Sequence, residues 1–484
     1  MKTLTKSLIY ILIAGILYVV SIFIMEFYLE KHLKKEEKLT FSKFNMTFGG
    51  NLTFNDLRFE NDSIAIQAEA VKLNIGIMKI LLGDTILINR ATVNHAKLTY
   101  FKRTIDSTNI DSTKTVSPKQ KNKRPFALKT VDISGFDFLK IEKGDTLTNI
   151  LGINLKAQLK DIQNIQFKEL KQLSFQSLYL RTNELIDITV DSFKYRSNTI
   201  LVDTFKVFTR YSKEEYIYHI PEQKGHIDLV AYQLILDNVD FKIHMNKLKK
   251  ISLNEINLEA FELDVYRDKT LPEYTQLEPT YAQIVQGFDF ELDINAAIAK
   301  NSRVSFSMKT DNEKVSRVDF KDINARLTHI NKIPSKKQIA KLTGNFSLCS
   351  QSIVDVYLSY NQYAKAETFQ MDLHGRSINT KALNSIFRPA MNVDVSGTVD
   401  NIDAHMVSKG SADGTVRLQS KDLKIKLYKE NGKDHKLLTA IGNAIVNKEI
   451  DKTGEVEDFE FDKTRPMWNY MWHFIQEGIM KAIV

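Results

Sequence analysis

Apolar and polar residues alternate with a period of two along most of this chain. Val239, Phe241, Ile243 and Met245 alternate with Asp240, Lys242 and His244. Phe288, Phe290, Leu292, Ile294, Ala296 and Ile298 alternate with Asp289, Glu291, Asp293 and Asn295. Val354, Val356 and Leu358 repeat the pattern, as do Val393, Val395 and Val399, then Leu423, Ile425 and Leu427. Alternation of this kind gives a strand one apolar and one polar face. It predicts antiparallel sheet with one wet face, since buried parallel strands are apolar throughout. Turn signals break the runs at Gly49-Gly50, Gly83-Asp84, Gly144-Asp145, Gly410 to Gly414 and Asn431-Gly432.

Helical signals are few. One short helix is predicted from Lys381 to Phe387, stopping before Pro389, and another over Leu437 to Val446. The clearest lies in residues 464–484. Thr464 is placed to cap it, and Pro466 sits in the first turn, where a missing N–H does no harm. Trp468, Met471, Trp472, Ile475, Ile479 and Ala482 fall on one stripe, with Asn469, His473, Glu477 and Lys481 opposite. The stripe has two readings: a cap on the end of the sheet, or a contact with a membrane or a partner helix.

Lys2 and Lys6 precede an uncharged run from Ser7 to Met25, and Phe27, Tyr28 and Leu29 prolong it beyond Glu26. Roughly 20 apolar residues cross a hydrocarbon core of about 30 Å. A cleaved leader has a shorter apolar region ending in a small-x-small site, and the exit Met25-Glu26-Phe27-Tyr28-Leu29 has none. The reading is a cytoplasmic stub (1–6) and one transmembrane helix (7–29). Lys31, Lys34, Lys35 and Lys38 balance Lys2 and Lys6, so charge alone does not orient the span. Beyond it come a first β unit (30–102), a Ser/Thr/Lys-rich loop (103–125) and a long β-rich body (126–463).

About 20 strands at roughly 4.8 Å spacing make a sheet on the order of 100 Å wide, and its apolar face needs cover. Two facing sheets supply that cover as a sandwich. A curved trough leaves an apolar interior instead, and acyl chains suit it at about 0.8 kcal/mol per buried CH₂. Periodicity does not choose between the two.

Composition narrows the function. The 484 residues are 43% hydrophobic, and 67 Lys and Arg are interspersed with 59 Asp and Glu for a net charge of +8. The mixture is a solvated surface, and basic patches interleaved with aromatics, the mark of nucleic-acid binding, are missing. The single cysteine, Cys349, excludes an internal disulfide. The ten histidines are scattered without His-x-x-x-His or Glu-x-x-His spacing, and His95, His244 and His374 read as polar-face strand residues. No Gly-x-Ser-x-Gly elbow or phosphate-binding glycine loop occurs. Asp289, Glu291 and Asp293 read as a solvated face, and Arg267 and Asp268 as a local pair. No catalytic residue, metal ligand or cofactor is expected.

The opening Leu52-Thr53-Phe54-Asn55-Asp56-Leu57 leads into an alternating strand ending at Ile75. Leu81-Leu82-Gly83-Asp84-Thr85-Ile86-Leu87-Ile88 and Ala96-Lys97-Leu98-Thr99-Tyr100 follow. Further on stand Val265-Tyr266-Arg267-Asp268-Lys269, Ala382-Leu383-Asn384 before Pro389, and Gly397-Thr398-Val399. Together with the single span, these segments resemble the AsmA-like group of membrane-anchored proteins, to which TamB is related. Within it they resemble a Bacteroidetes branch of hypothetical envelope proteins. The resemblance covers most of the chain by texture. It implies a mainly β fold: an N-terminal transmembrane helix, an elongated antiparallel β-trough (a taco or bridge-like groove) and a C-terminal amphipathic helix. It also implies an inner-membrane protein with its bulk in the periplasm, moving phospholipid between inner and outer membranes or supporting outer-membrane assembly. A chain of this length is short for bridging an envelope alone. The candidate lipid lining is Phe241, Ile243, Phe288, Phe290, Leu292, Ile294, Val354, Val356, Val393 and Val395. The alternative is a non-enzymatic scaffold without a lipid channel, with outer-membrane components as partners.

Overall fold

The computed structural model describes residues 39–47, 50–76, 86–102, 126–160, 166–245, 247–310, 315–333, 335–348, 352–364, 366–391, 393–428 and 449–483. The expected span 7–29, the loop 103–125, Cys349 and the expected helix Leu437 to Val446 lie outside the described residues. Of the described residues 71% are in strands and 11% in helices, and the 21 described strands belong to one large open sheet. It divides into two compact units, Met1–Phe205 with Asn238–Ile251, and Lys206–Asp237 with Ser252–Val484.

The first unit carries β1 (Leu39–Thr40), β2 (Lys43–Met46), β3 (Asn51–Glu60), β4 (Ile64–Ile75), β5 (Ile86–Lys102) and β6 (Phe126–Glu142). It continues through β7 (Asp145–Gln158), β8 (Leu170–Arg181), β9 (Ile186–Arg196) and the first residues of β10 (Thr199–Thr209). Neighbours pair antiparallel, as the alternation predicts, with one exception. β5 and β6 run parallel, from Ile86 beside Phe126 to Lys102 beside Glu142. The Lys102 ammonium and Glu142 carboxylate close that end at 2.8 Å.

In this unit the buried positions change phase partway along the longer strands. Ile64, Ile66 and Ala68 give way to Val71, Leu73 and Ile75 in β4; Val131 and Ile133 to Phe136 and Phe138 in β6. Leu173 and Phe175 give way to Leu178 and Leu180 in β8. The slips share one level across the sheet. Asp56, His95, Gly135, Gly152 and Ser192 mark it, all with φ between 42° and 65°. Asp56 and His95 both face Glu69, whose carboxylate lies 2.8 Å from the His95 ring. At a left-handed residue the alternation jumps by three while the apolar face stays on one side, and the strand bends; β6 and β7 add register shifts there, two residues against one, whereas β3, β4 and β5 stay paired one to one. Seven strands bending along one line curve the sheet.

In the second unit β11 (His226–Asp237) pairs with β13 (Lys247–Asp268), and the short β12 (Asp240–His244) between them falls in the first unit. An antiparallel ladder follows: β14 (Glu291–Lys309), β15 (Val315–Lys332), β16 (Ala340–Leu348), β17 (Ser352–Tyr360), β18 (Thr368–Ile378), β19 (Val393–Lys409), β20 (Ser411–Leu427) and β21 (Glu449–Glu460). Gln233, Asn301 and Asp322, with φ near 50°, form a second bulge line.

Four short or medium helices accompany these strands: α1 (Lys213–Tyr216), α2 (Tyr281–Gln286), α3 (Thr380–Met391) and α4 (Met467–Ile483). Capping boxes start the first two, Ser212 with Glu215 and Thr280 with Gln283. The α3 helix begins where the sequence predicts but runs past Pro389, which falls in its last turn and removes a single backbone donor. In α4 the Pro466 carbonyl accepts from Asn469 at 2.9 Å, while the Thr464 hydroxyl bonds Asp462 instead of capping the helix.

Candidate functional site

The site is the apolar face of the β14–β21 ladder. Cross-strand partners share a face, so it can be traced row by row. Ala299, Ala325, Gly344, Val356, Leu373, Ala404, Val416 and Gly454 form one continuous row. The opposite face is polar in β17–β21. There Arg376 reaches Asp355 at 2.6 Å, His405 reaches Asp372 at 2.6 Å, and His374 pairs with Asp403. Arg417 clasps Asp451 with two nitrogens at 2.8 and 2.9 Å. These groups hold each other on an exposed lattice. Among the described residues no three His, Cys, Asp or Glu side chains are arranged to hold a metal ion.

The small residues of the apolar row admit a helix. A Cβ on Gly454 would collide with the Gly478 carbonyl oxygen, and one on Gly478 would collide with Val416. The α4 backbone thus lies directly on β20 and β21. Its first turn reaches much further. The Tyr470 ring stacks on Phe459 of β21 at 5.5 Å and meets Phe369 of β18 at 6.2 Å. Trp468 stands edge-on to Phe306 of β14 at 5.6 Å. β14 and β21 are seven strand spacings apart in the ladder, roughly 34 Å if flat. A helix is about 10–12 Å across. The sheet must therefore curl around α4 for one helix to touch both.

Two apolar clusters result. One joins Phe369, Met371, Met406, Val416 and Val456 to Met467, Tyr470, Phe474 and Ile475 of α4. The other joins Val354, Ile378, Val399, Leu418 and Ile450 to Ala482 and Ile483. Burial pushes the Tyr470 phenol up to about 12, and its hydroxyl donates to the Phe459 carbonyl at 2.7 Å. At the edge of the first cluster, Tyr360 donates to the buried Glu367 carboxylate at 2.7 Å and accepts from the Ala282 amide. Burial raises the Glu367 carboxyl above its ordinary value.

The expected lining residues do not form one groove. Phe241 and Ile243 belong to the first unit and the other eight to the second. Val354 is buried in the cluster holding Ala482 and Ile483, and Val356 and Val395 pack against that cluster half-buried, as do Phe346 and Leu348. Val393 is half-buried at the start of β19. Phe288 and Phe290 stack at 5.0 Å. Phe290 and Leu292 are buried, and Ile294 is half-buried opposite Ile330. The expected helical stripe is also rotated. Met467, Tyr470, Phe474, Ile475, Gly478 and Ala482 face the sheet, with Met471 and Ile479 at the margin. Trp468 and Trp472 are 44% and 41% exposed. Indole size draws the eye in the sequence, but the close approach at Gly478 fixes the buried line.

One stretch of the apolar face is only half covered. Val304 and Phe306 of β14, Val318 and Phe320 of β15, and Phe346 and Leu348 of β16 are all half-buried. They share a face through the pairs Val304–Phe320, Phe306–Val318 and Phe320–Leu348. Phe320 and Phe346 meet edge-on at 5.4 Å. The Ser385 hydroxyl of α3 bonds the Arg317 carbonyl next to them. Ile298 pairs with Arg326 and lies on the face opposite Ala299; the register shifts that follow at Ser302 put Val304 and Phe306 on the Ala299 face. A shallow open depression of about 440 Å³ lies nearby, lined by Ile298, Ala299, Lys300, Ala325, Gly344 and Val356 among others.

No described helix is long and apolar enough to cross a membrane. The chain matches no protein-family model and no curated protein.

Proposed function

We propose that this chain is an inner-membrane-anchored, periplasmic protein of AsmA-like type that binds phospholipid acyl chains on the apolar face of its sheet and passes them between membranes. The observation that carries the reading is the half-covered row Val304, Phe306, Val318, Phe320, Phe346 and Leu348, on a sheet curled to enclose a rod-like apolar body. A helix fills part of that space, and an acyl chain is a second object of the right shape and polarity. Each buried CH₂ is worth about 0.8 kcal/mol, enough to hold a chain without directional contacts.

A second reading has its own support. Because α4 fills so much of the face, the chain also fits a self-packed envelope scaffold that works through protein contacts. Site-specific crosslinking separates the two. Benzoylphenylalanine at Phe320 or Phe346 captures phospholipid in growing cells if the face carries lipid. The same group at Thr343, on the opposite face, captures none. Crosslinks to protein alone at Phe320 and Phe346 decide for the scaffold.

A further inference from the structure

Arg267 is the anomaly of the second unit. It is half-buried at the end of β13, and among the described residues it has no hydrogen-bonding or ion-pairing partner. Burial first, and then the charge of Arg465, depress its guanidinium below the ordinary arginine value, while the charge of Glu278, close enough to act but not hydrogen-bonded, works the other way. Its neighbours do not share this isolation. Asp264 takes Lys213 and Arg317, and Asp268 takes Lys309 and the Thr270 hydroxyl. Arg465 itself is tethered only to two exposed acids, Glu273 at 3.1 Å and Asp462 at 3.7 Å. The local pairing of Arg267 with Asp268 expected from sequence does not occur, because alternation sends the two side chains to opposite faces.

That alternation places Arg267 where it matters. Asp264 and Asp268 lie on the face of Arg317 and Lys309, with which they pair. Arg317 sits opposite Ser307, and Phe306 opposite Val318 on the other face. Arg267 is therefore on the same side as Phe306, against which Trp468 rests, three residues after Arg465. Two guanidiniums stand beside an apolar aromatic surface. A partly buried guanidinium with no hydrogen-bonded acid is a cost to the fold, which an oxyanion reduces through charge-assisted, bidentate hydrogen bonds.

We propose that Arg267 and Arg465 bind the phosphate group of a phospholipid whose acyl chains lie on Phe306, Trp468 and Phe320. The inference rests on the lipid-binding reading above and adds a headgroup site to it. Arg465 reaches the phosphate by leaving Glu273 and Asp462, both of which stay solvated. Arg267 is already free.

The two tryptophans of the chain, Trp468 and Trp472, report on this place. The full chain in nonionic detergent is titrated with dihexanoyl phosphatidylglycerol, with dihexanoylglycerol and with inorganic phosphate, following tryptophan emission. Phosphatidylglycerol shifts the emission saturably, and the two probes carrying only one half of the ligand bind at least about tenfold more weakly. R267Q and R465Q each weaken phosphatidylglycerol by about tenfold, the scale of one charged hydrogen bond, while K481Q on the outer side of α4 leaves it unchanged. R267Q also melts no lower than the parent protein, because it removes a partly buried charge that makes no ion pair among the described residues and is opposed by Arg465. Unchanged affinity in R267Q, or a melting temperature several degrees lower, overturns the headgroup site while lipid binding by the parent chain still stands. Inorganic phosphate binding as tightly as the lipid overturns it too, leaving a plain oxyanion site. Failure of the parent chain to respond to any lipid, with no lipid crosslinked at Phe320, removes both readings together.

Discussion

Gly454 lies directly against the backbone of Gly478: a Cβ on Gly454 would strike the Gly478 carbonyl and stand 2.8 Å from the Ala482 amide nitrogen. Backbone meets backbone here, so no rotamer change relieves an added methyl. G454V is expected to destabilise the second unit by about 3 kcal/mol, the upper range for overpacking. Urea unfolding gives the loss. Trp468 and Trp472 emission shows whether α4 has lifted from the sheet at denaturant concentrations where the strands persist.

Glu367 makes stability depend on pH. Its folded carboxyl titrates above the ordinary 4.5 because it is buried, although the hydrogen bond from Tyr360 acts in the opposite direction. Between those two values the folded state holds a proton that the unfolded state has released. Stability from this group is therefore full below about pH 4.5 and declines as pH rises through the folded value. E367Q removes the titration. Melting curves from pH 4 to 9 are expected to show the variant gaining on the parent protein at alkaline pH and matching it at acid pH.

Asp451 behaves in the opposite sense. Hydrogen bonds from Arg417, then from Gln419, hold its carboxyl down at about 2. The stabilisation is present above 3.8, the ordinary value, and disappears as pH falls through about 2. R417Q is expected to raise the midpoint of the Asp451 carbon resonance from about 2 towards 3.8 in an NMR titration, with the Gln419 hydrogen bond holding back part of the return. Because the pair is exposed, its effect on unfolding at neutral pH is expected to vanish in high salt.

Gly135 tests the bulge line. Its φ is +64°, and a Cβ there would stand 2.8 Å from the His95 ring carbon. G135A is expected to cost about 1–2 kcal/mol from left-handed strain alone, before His95 moves. Asparagine, which tolerates that conformation better, should cost less at the backbone. Chemical denaturation of both variants measures the difference.

Much of the fold is legible in the alternation, because burial of one face forces period two on the residues. Val354 and Val356 signal their strand, and Lys143-Gly144 supply the positive φ values of the β6–β7 turn. What alternation hides is the phase slip. Ile298 and Val304 keep the same count along the sequence yet lie on opposite faces, because the register shifts at Asn301 and Ser302. Face assignment is a long-range property, which explains why Arg267 reads as a partner of Asp268 from its neighbours in sequence and stands alone in space. Tyr470 and Phe474 outrank Trp468 and Trp472 in burial because Gly478, the least conspicuous residue of the helix, decides which side touches the sheet.

The aligned bulges of the first unit have a mechanical consequence. Curvature written into Asp56, His95, Gly135, Gly152 and Ser192 belongs to the backbone and not to whatever the sheet encloses. Flattening it would require five left-handed residues on five strands to revert in concert, each with its neighbours' hydrogen bonds in step. The bend of these strands is therefore held by their own backbone geometry, whatever packs against them.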